Sequence, residues 1–448
     1  MRRLSRIAAL AAGFLGVLLA LGPDPARAVP SYSRQTGQEC AVCHVGSFGP
    51  ALTPYGVRFK LGGYVDTSGT DLKVPLSGMA VGTFTQTQAG QPGGAAKFFG
   101  DNDNLALQEA SLFIAGKLGG DVGTFTQITY SGVDRKLALD NVDIRGARDV
   151  TLGGQSALVG LTFNNNPTVQ DPFNSLPAWR IPFISSDLAP TPSRAALMDG
   201  GLSGRVAGVS AYSLLGNGIY AELGGYLAMP KGVLDAVNVL DRRDPGQYVD
   251  SVAPYGRLGY FLDMKSQAFY AGVVGMTAGM RGYGLNLAGN DRYDDVGVDA
   301  SYQFLGSRTH VFTLTGSLLY ERAHLDQSVA AGLAAKTQQD LTELNLAASY
   351  YYDRTYGFTA RYFNTVGNRD TTLNASRTGK PDSSGMMFQV DWTPFGKEDS
   401  WMAPNANVRL GLQYTLYNKF DGSHTNYDGA GRNASDNNTA LAFVWVAF

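Results

Sequence analysis

The chain is poor in charge. Asp, Glu, Lys and Arg make up 17% of its 448 residues and leave a formal net charge of −2, so no basic surface is on offer to nucleic acid. Beyond the N-terminus it lacks any uninterrupted apolar run of about 18 residues, which excludes a bundle of membrane-spanning helices. Cysteine is nearly absent: Cys40 and Cys43 are the two that occur, and no second pair of ligands lies nearby for a zinc site. Disorder is excluded in turn, because 44% of the residues are hydrophobic and 11% aromatic. What is plentiful is glycine, with 56 residues, more than a helical enzyme carries.

The first 28 residues read as a secretory signal peptide. Arg2, Arg3 and Arg6 precede an apolar run from Ile7 to Leu21, and Ala26-Arg27-Ala28 supplies a small-residue cleavage site. An uncleaved anchor is the bland alternative, but the run is short for a bilayer span.

The two cysteines stand three apart with His44 directly after the second. C-x-x-C-H is the attachment signature of c-type haem. Its thiols add to the two haem vinyl groups, and the adjacent His ligates the iron. The expected cofactor is therefore one covalent haem c, held by Cys40 and Cys43 with His44 as proximal ligand. An ordinary disulfide or redox pair is the competing reading, against which stands the missing βαβ context. From Val29 to about Leu72 the segment is rich in Gly and Pro and too short to enclose a haem and also build a core. It must borrow walls from the remaining chain.

That remainder alternates apolar and polar residues in blocks separated by Gly, Asn, Asp and Pro, the pattern of β-strands. Sixteen blocks are expected, near 76–89, 104–118, 122–132, 137–149, 155–164, 205–215, 219–230, 253–263, 266–281, 293–305, 310–322, 340–352, 355–367, 384–394, 406–419 and 437–448. In Asn407–Tyr417 the residues Val408, Leu410, Leu412, Tyr414 and Leu416 face one way, and Asn407, Arg409, Gln413 and Thr415 the other. An apolar face opposite a polar one suits lipid outside and water inside. Short connections such as Gly119–Asp121 and Asp353–Arg354 alternate with long ones such as 165–204 and 420–436, as periplasmic turns alternate with extracellular loops. The stretch 395–405 is long for a periplasmic turn, so one strand more or fewer is admissible there. The terminal Phe448 completes an apolar face with Val444 and Val446, similar to the last strand of bacterial outer-membrane proteins. The expected fold is all-β: an antiparallel outer-membrane β-barrel of about 16 strands over 74–448, preceded by a c-type monohaem segment over 29–73. Folding that segment into the barrel mouth or lumen supplies its walls. A segment hanging on the periplasmic side satisfies the same topology.

Around the haem motif, Tyr32-Ser33-Arg34-Gln35-Thr36-Gly37, Cys40–His44, Phe48 and Leu52-Thr53-Pro54-Tyr55-Gly56-Val57-Arg58-Phe59-Lys60-Leu61-Gly62-Gly63-Tyr64 resemble the fused monohaem cytochrome–porins of iron-oxidising bacteria. Those proteins read close to R-Q-T-G, C-x-x-C-H and L-T-x-F-G-R-x-F-K-L-x-G-Y ahead of a barrel of similar size. Tyr55 replaces the usual Phe, and Val57 precedes Arg58. Over the barrel the likeness is architectural only. The resemblance implies an outer-membrane iron oxidase, an Fe(II):cytochrome c oxidoreductase that takes electrons from extracellular Fe(II). Each electron would pass through the haem to a periplasmic cytochrome c or cupredoxin. Two alternatives stay open: another extracellular electron donor or acceptor, and a diffusion porin whose haem segment is a structural plug.

Other candidate residues carry bland alternatives. Arg34, Arg58 and Lys60 could pair with the haem propionates, or be solvated or paired within the lumen. Met79, His310, His324 and His424 are the candidates for a distal ligand. Met79 equally suits strand packing, His310 the lipid interface, and the other two solvated loops. Glu109, Asp143, Arg145, Asp299, Glu343, Arg361 and Arg409 are expected in the lumen as a charge ladder bracing the wall, or as an ion path. Loop 165–204 could fold inward. Asp235, Asp241, Asp244, Asp250, Asp421, Asp428 and Asp436 make two loops acidic and suited to transient Fe(II) capture.

Overall fold

The computed structural model describes residues 31–68, 74–240, 246–284, 288–397, 400–402 and 406–448. The signal-peptide segment, Asp241 and Asp244 lie outside the described residues. One antiparallel sheet holds all the strands. It runs β1 (Leu76–Thr87), β2 (Asn104–Gly119), β3 (Val122–Ser131), β4 (Lys136–Leu152), β5 (Gln155–Asn164), β6 (Val206–Leu215), β7 (Ile219–Ala228), β8 (Gln247–Val249), β9 (Ala253–Asp263), β10 (Gln267–Gly282), β11 (Asp291–Phe304), β12 (His310–His324), β13 (Gln338–Tyr352), β14 (Tyr356–Gly367), β15 (Ser383–Trp392), β16 (Asn407–Lys419) and β17 (Thr439–Ala447).

Each long strand pairs with its neighbours in sequence, and β1 pairs with both β2 and β17. The sheet therefore closes into a barrel of sixteen long strands with no free edge. The three-residue β8 pairs with the far end of β10 and prolongs the ladder of β9. It lies in 231–252, which the alternation assigned wholly to a loop, and a short helix at Lys231–Ala236 lies there too. Between β15 and β16 no further strand occurs among the described residues.

The alternation resolves as expected. Leu412 and Leu346 point outward and are exposed, whereas Arg409, Gln413, Glu343 and Asn345 are buried on the lumen side. Leu105, Leu161, Leu223, Leu258 and Val296 continue the exposed apolar belt. Aromatic residues, among them Tyr352, Tyr356, Trp392 and Phe448, flank it at the short-turn end. A closed barrel with an apolar outer band and an aromatic girdle is built to sit in lipid. The protein is an outer-membrane β-barrel, with its short turns gathered at one end.

Candidate functional site: a plugged lumen around Cys40, Cys43 and His44

Residues 31–68 lie inside the barrel, at the short-turn end. The segment folds as helix α1 (Ser31–Thr36), a single turn α2 (Cys40–Cys43) and helix α3 (Pro54–Leu61). Helix α3 starts where the sequence dictates. Thr53 caps it by accepting from the Gly56 amide at 3.3 Å, and Pro54 occupies the first helical position. Between α2 and α3 the chain folds back on itself: Val45 donates to the Ala51 carbonyl at 2.9 Å and Thr53 to that of Cys43 at 2.9 Å. Gly46 and Gly49 take left-handed backbone there. A side chain on Gly46 would collide with the Tyr351 ring, and one on Gly56 with the Cys43 carbonyl.

The walls that the short segment needs come from around the barrel. Tyr32 donates to the Thr124 carbonyl at 2.8 Å, and Tyr64 to Asp143 at 2.6 Å. The Leu61 carbonyl accepts from Tyr212 at 2.6 Å, and that of Leu52 from Gln303 at 2.7 Å. Asn407 donates to Ser47 at 2.9 Å and Arg409 to Phe48 at 2.9 Å. Phe48 packs edge-on to Trp445 with ring centres 4.6 Å apart. Each such bond is worth about 1 kcal/mol, and burying a side chain such as Leu61 about 2 kcal/mol. Spread over strands from β1 to β17, they lock the segment across the bore.

A second seal lies above the first. Residues 165–204 fold inward, burying Val169, Asp171, Leu176, Ile184, Met198 and Leu202. Asp171 and Asp299 flank the buried Arg257 as ion pairs, the second at 2.6 Å. Successive amides of Ala196, Leu197 and Met198 donate to Glu343, Glu321 and Asp295 on three adjacent strands. The two seals are joined: Lys60 donates to the Val169 carbonyl at 2.8 Å and to Asn174 at 3.1 Å, and Asn174 donates to the Pro50 carbonyl at 2.6 Å. Of the lumen charges expected as a brace, Asp143, Arg145, Asp299, Glu343 and Arg409 bond the plug or the inward loop, whereas Arg361 bonds Asn345 of the wall. Asp143 pairs with Arg145 at 2.8 Å, and Arg409 with Asp391 at 3.4 Å. Arg257, which composition did not single out, has the period-two register of Tyr255 and faces the bore with it.

Within the plug, Cys40, Cys43 and His44 are half-buried, and both thiols are free. Burial pushes the Cys43 thiol up to about 12, with Cys40 and Asp66 adding to it, and burial also raises Cys40. A dithiol exchange centre needs a lowered thiol pKa, so the site is unlike one. Burial pushes the His44 imidazole down to about 4 against the opposing pull of the Gly49 backbone, and Arg409 lowers it further. A neutral imidazole is the form that binds metal. Its Nδ1 is buried with no hydrogen-bond partner. Two free thiols one helical turn apart and a neutral imidazole with an unused nitrogen are a donor set that could hold a covalent haem.

The remaining candidates fall in different places. Arg34 donates to the Leu76 carbonyl, and the exposed Arg58 pairs with Asp263 at 3.1 Å. Lys60 is buried, its ammonium engaged by the inward loop and 4.6 Å from the Trp179 ring; burial pushes it down to about 7. The Met79 sulfur accepts from Trp445 at 3.2 Å. His310 is exposed at the interface and bonds the Tyr350 hydroxyl at 2.7 Å, while His424 meets the Asn418 carbonyl at 2.6 Å. His324 ends β12 on the long-loop side. Among the acidic loop residues, Asp428 and Asp436 accept from amides of their own turns, and Asp421 accepts from Ser193. Among the described residues, no three His, Cys, Asp or Glu side chains form a metal-holding group.

No family model and no curated protein matches the chain. Among solved structures it is similar to the outer membrane channel DcaP of Acinetobacter baumannii, at 15% identity over 86% of this chain and 100% of that one, with a TM-score of 0.48. It is also similar to an anion-selective porin from Comamonas acidovorans, at 13% identity over 83% and 98% of the two chains, with a TM-score of 0.47. OmpT of Vibrio cholerae is similar at 10% identity over 84% and 99%, with a TM-score of 0.45.

Proposed function

We propose that the chain is an outer-membrane electron conduit in which Cys40 and Cys43 hold one haem c and His44 is its proximal ligand. The observation that carries this reading is the placement of the C-x-x-C-H turn in a segment bonded to the lumen wall, with loop 165–204 folded into the bore beside it. When bound, haem c supplies a one-electron centre. The protein's own residues do the rest. The Phe48–Trp445 contact and the Arg409 and Asn407 bonds fix the loop that follows His44. Loop 165–204 occupies the bore beside it, bonded to the wall and to Lys60. A diffusion porin whose haem segment is a structural plug would have a filled lumen too, and a large conductance of the intact protein would favour that alternative.

Extracellular Fe(II) is the proposed donor, and a periplasmic cytochrome c or cupredoxin the acceptor, making the chain an Fe(II):cytochrome c oxidoreductase. Support comes from the resemblance of residues 32–64 to the monohaem cytochrome–porins and from chemistry. Ferric iron precipitates near neutral pH, so oxidising Fe(II) outside keeps the solid out of the cell. A barrel with a redox group in its bore also offers electrons a way across an insulating layer about 30 Å thick.

Stopped-flow visible spectroscopy tests the proposal. Oxidised protein in detergent is mixed anaerobically with Fe(II), and sharp ferrous c-type bands should grow. The Cys40→Ala variant should lose the covalent haem and the bands. Haem that reduces with dithionite but ignores Fe(II) from acid to neutral pH would overturn the iron reading and leave another donor. Protein purified from a host competent in cytochrome c maturation yet carrying no covalent haem would overturn the conduit itself.

A further inference from the structure

Above the plug, in the long-loop half of the bore, a cavity of about 240 Å³ separates the inward loop from the wall formed by β13, β14, β16 and β17. Three guanidiniums line it: Arg180 and Arg194 from the loop, and Arg361 from β14. Two of them are neutralised. Arg180 pairs with Asp199 and lies 3.5 Å from Glu343, and Arg194 lies 3.7 Å from Glu321. Arg361 is different. Its Nε and Nη2 donate to the neutral amide oxygen of Asn345, its guanidinium lies 5.0 Å from the Phe363 ring, and it enters no ion pair among the described residues. Its nearest charged neighbours include Arg180, a like charge, as well as Asp199 and Glu343. The Nη1 of Arg180 is the nitrogen that faces Glu343, at 3.5 Å.

A half-buried guanidinium with no counter-ion is costly unless something anionic joins it. The rest of the lining mixes hydroxyls and amides, including Thr365, Thr415 and Gln413, with apolar residues such as Pro190 and Leu441, and the Asp199 and Glu343 carboxylates that pair with Arg180 also border it. Its hydroxyls and amides can hydrogen-bond oxygen around the guanidinium. The volume suits a ligand of a few heavy atoms and falls short of drug-sized pockets. The guanidinium fork matches two oxygens of one oxyanion.

We propose that this cavity is a binding site for a compact multivalent oxyanion, a phosphate or a short polycarboxylate, held by Arg361. The proposal does not rest on the haem reading, since its residues lie on the wall and the inward loop.

Isothermal titration calorimetry on the purified full barrel in detergent tests it, with inorganic phosphate and citrate as separate probes. Saturable binding of at least one probe is expected, weakened by added salt. Arg361→Gln should weaken it roughly 10- to 100-fold, as loss of a charge-assisted contact does, and Arg361→Lys should recover part of the loss. Arg322→Gln, which removes an exposed arginine paired with Asp340 at 3.1 Å, is the control and should bind as the parent does. Phosphate binding alone, or citrate binding alone, identifies the source of the oxyanion. Absence of saturable binding by either probe overturns the site. So does unchanged binding in Arg361→Gln, provided that variant keeps the heat-modifiable gel shift of a folded barrel.

Discussion

At the scale of single residues, the site was legible where chemistry is local in sequence and silent where it is not. Cys40, Cys43 and His44 stand together, so the spacing alone named them. Lys60 did not disclose its role, because its partners Val169 and Asn174 are more than a hundred positions away and no local pattern links them. Gly56 is a residue whose importance only packing reveals. Its missing side chain lets helix α3 lie against the Cys43 carbonyl. Gly56→Val should therefore pry the helix from the Cys40–Cys43 turn, at a cost of about 1–3 kcal/mol typical of overpacking. The expected result is a lower ratio of covalent haem to protein and faster protease cleavage of the plug; full haem loading with unchanged protection would contradict it. His44 gives a pH signature in a haem-free Cys40→Ala/Cys43→Ala protein. Folded, its ring titrates at about 4, and unfolded at about 6.5. Between these values the unfolded chain binds more protons, so plug stability should rise with pH from 4 to 6.5, and the contribution is lost below that window. Limited proteolysis across the window should show this slope, and adding His44→Asn should flatten it. Equal slopes with and without the imidazole would count against the assignment.

At the scale of elements, strands are the most legible part, because period-two alternation is imposed by lipid on one side and by polar filling on the other. The blocks expected near 104–118 and 310–322 are observed as Asn104–Gly119 and His310–His324. What alternation could not provide is the path of the longest loop, whose residues obey no period and are held by scattered carboxylates on other strands. Its tether to the plug runs through the buried Lys60 ammonium and through the bond from Asn174 to the Pro50 carbonyl. Lys60→Met keeps the bulk of the side chain but removes both hydrogen bonds, leaving the Val169 carbonyl with only the Trp179 indole as donor. Hydrogen exchange followed by mass spectrometry should show amides over 165–180 exchanging roughly 10-fold faster, the effect of about 1.5 kcal/mol, while the β12–β13 ladder is unchanged. Exchange that stays at the parent rate in the loop would mean the two seals are independent.

At the scale of the whole molecule, two obstructions in series follow a simple rule: the tighter one sets the flow. The plug lies at the short-turn end, and the inward loop occupies the bore above it, with the proposed oxyanion cavity between loop and wall. Removing either alone leaves the other in place. In planar bilayers the intact protein should pass little current, and deletion of 31–68 alone should raise conductance only modestly because loop 165–204 still occupies the lumen. Replacing 172–198 by a short glycine–serine linker should be equally modest, since the plug remains wedged by Arg409, Asn407 and Gln303. Both changes together should give the large ohmic steps of an open barrel of about 16 strands. This non-additive pattern distinguishes a sealed conduit from a porin. A large conductance in the intact protein, or full opening on loss of the plug alone, would show that the inward loop is a selectivity constriction and the bore a route for solutes.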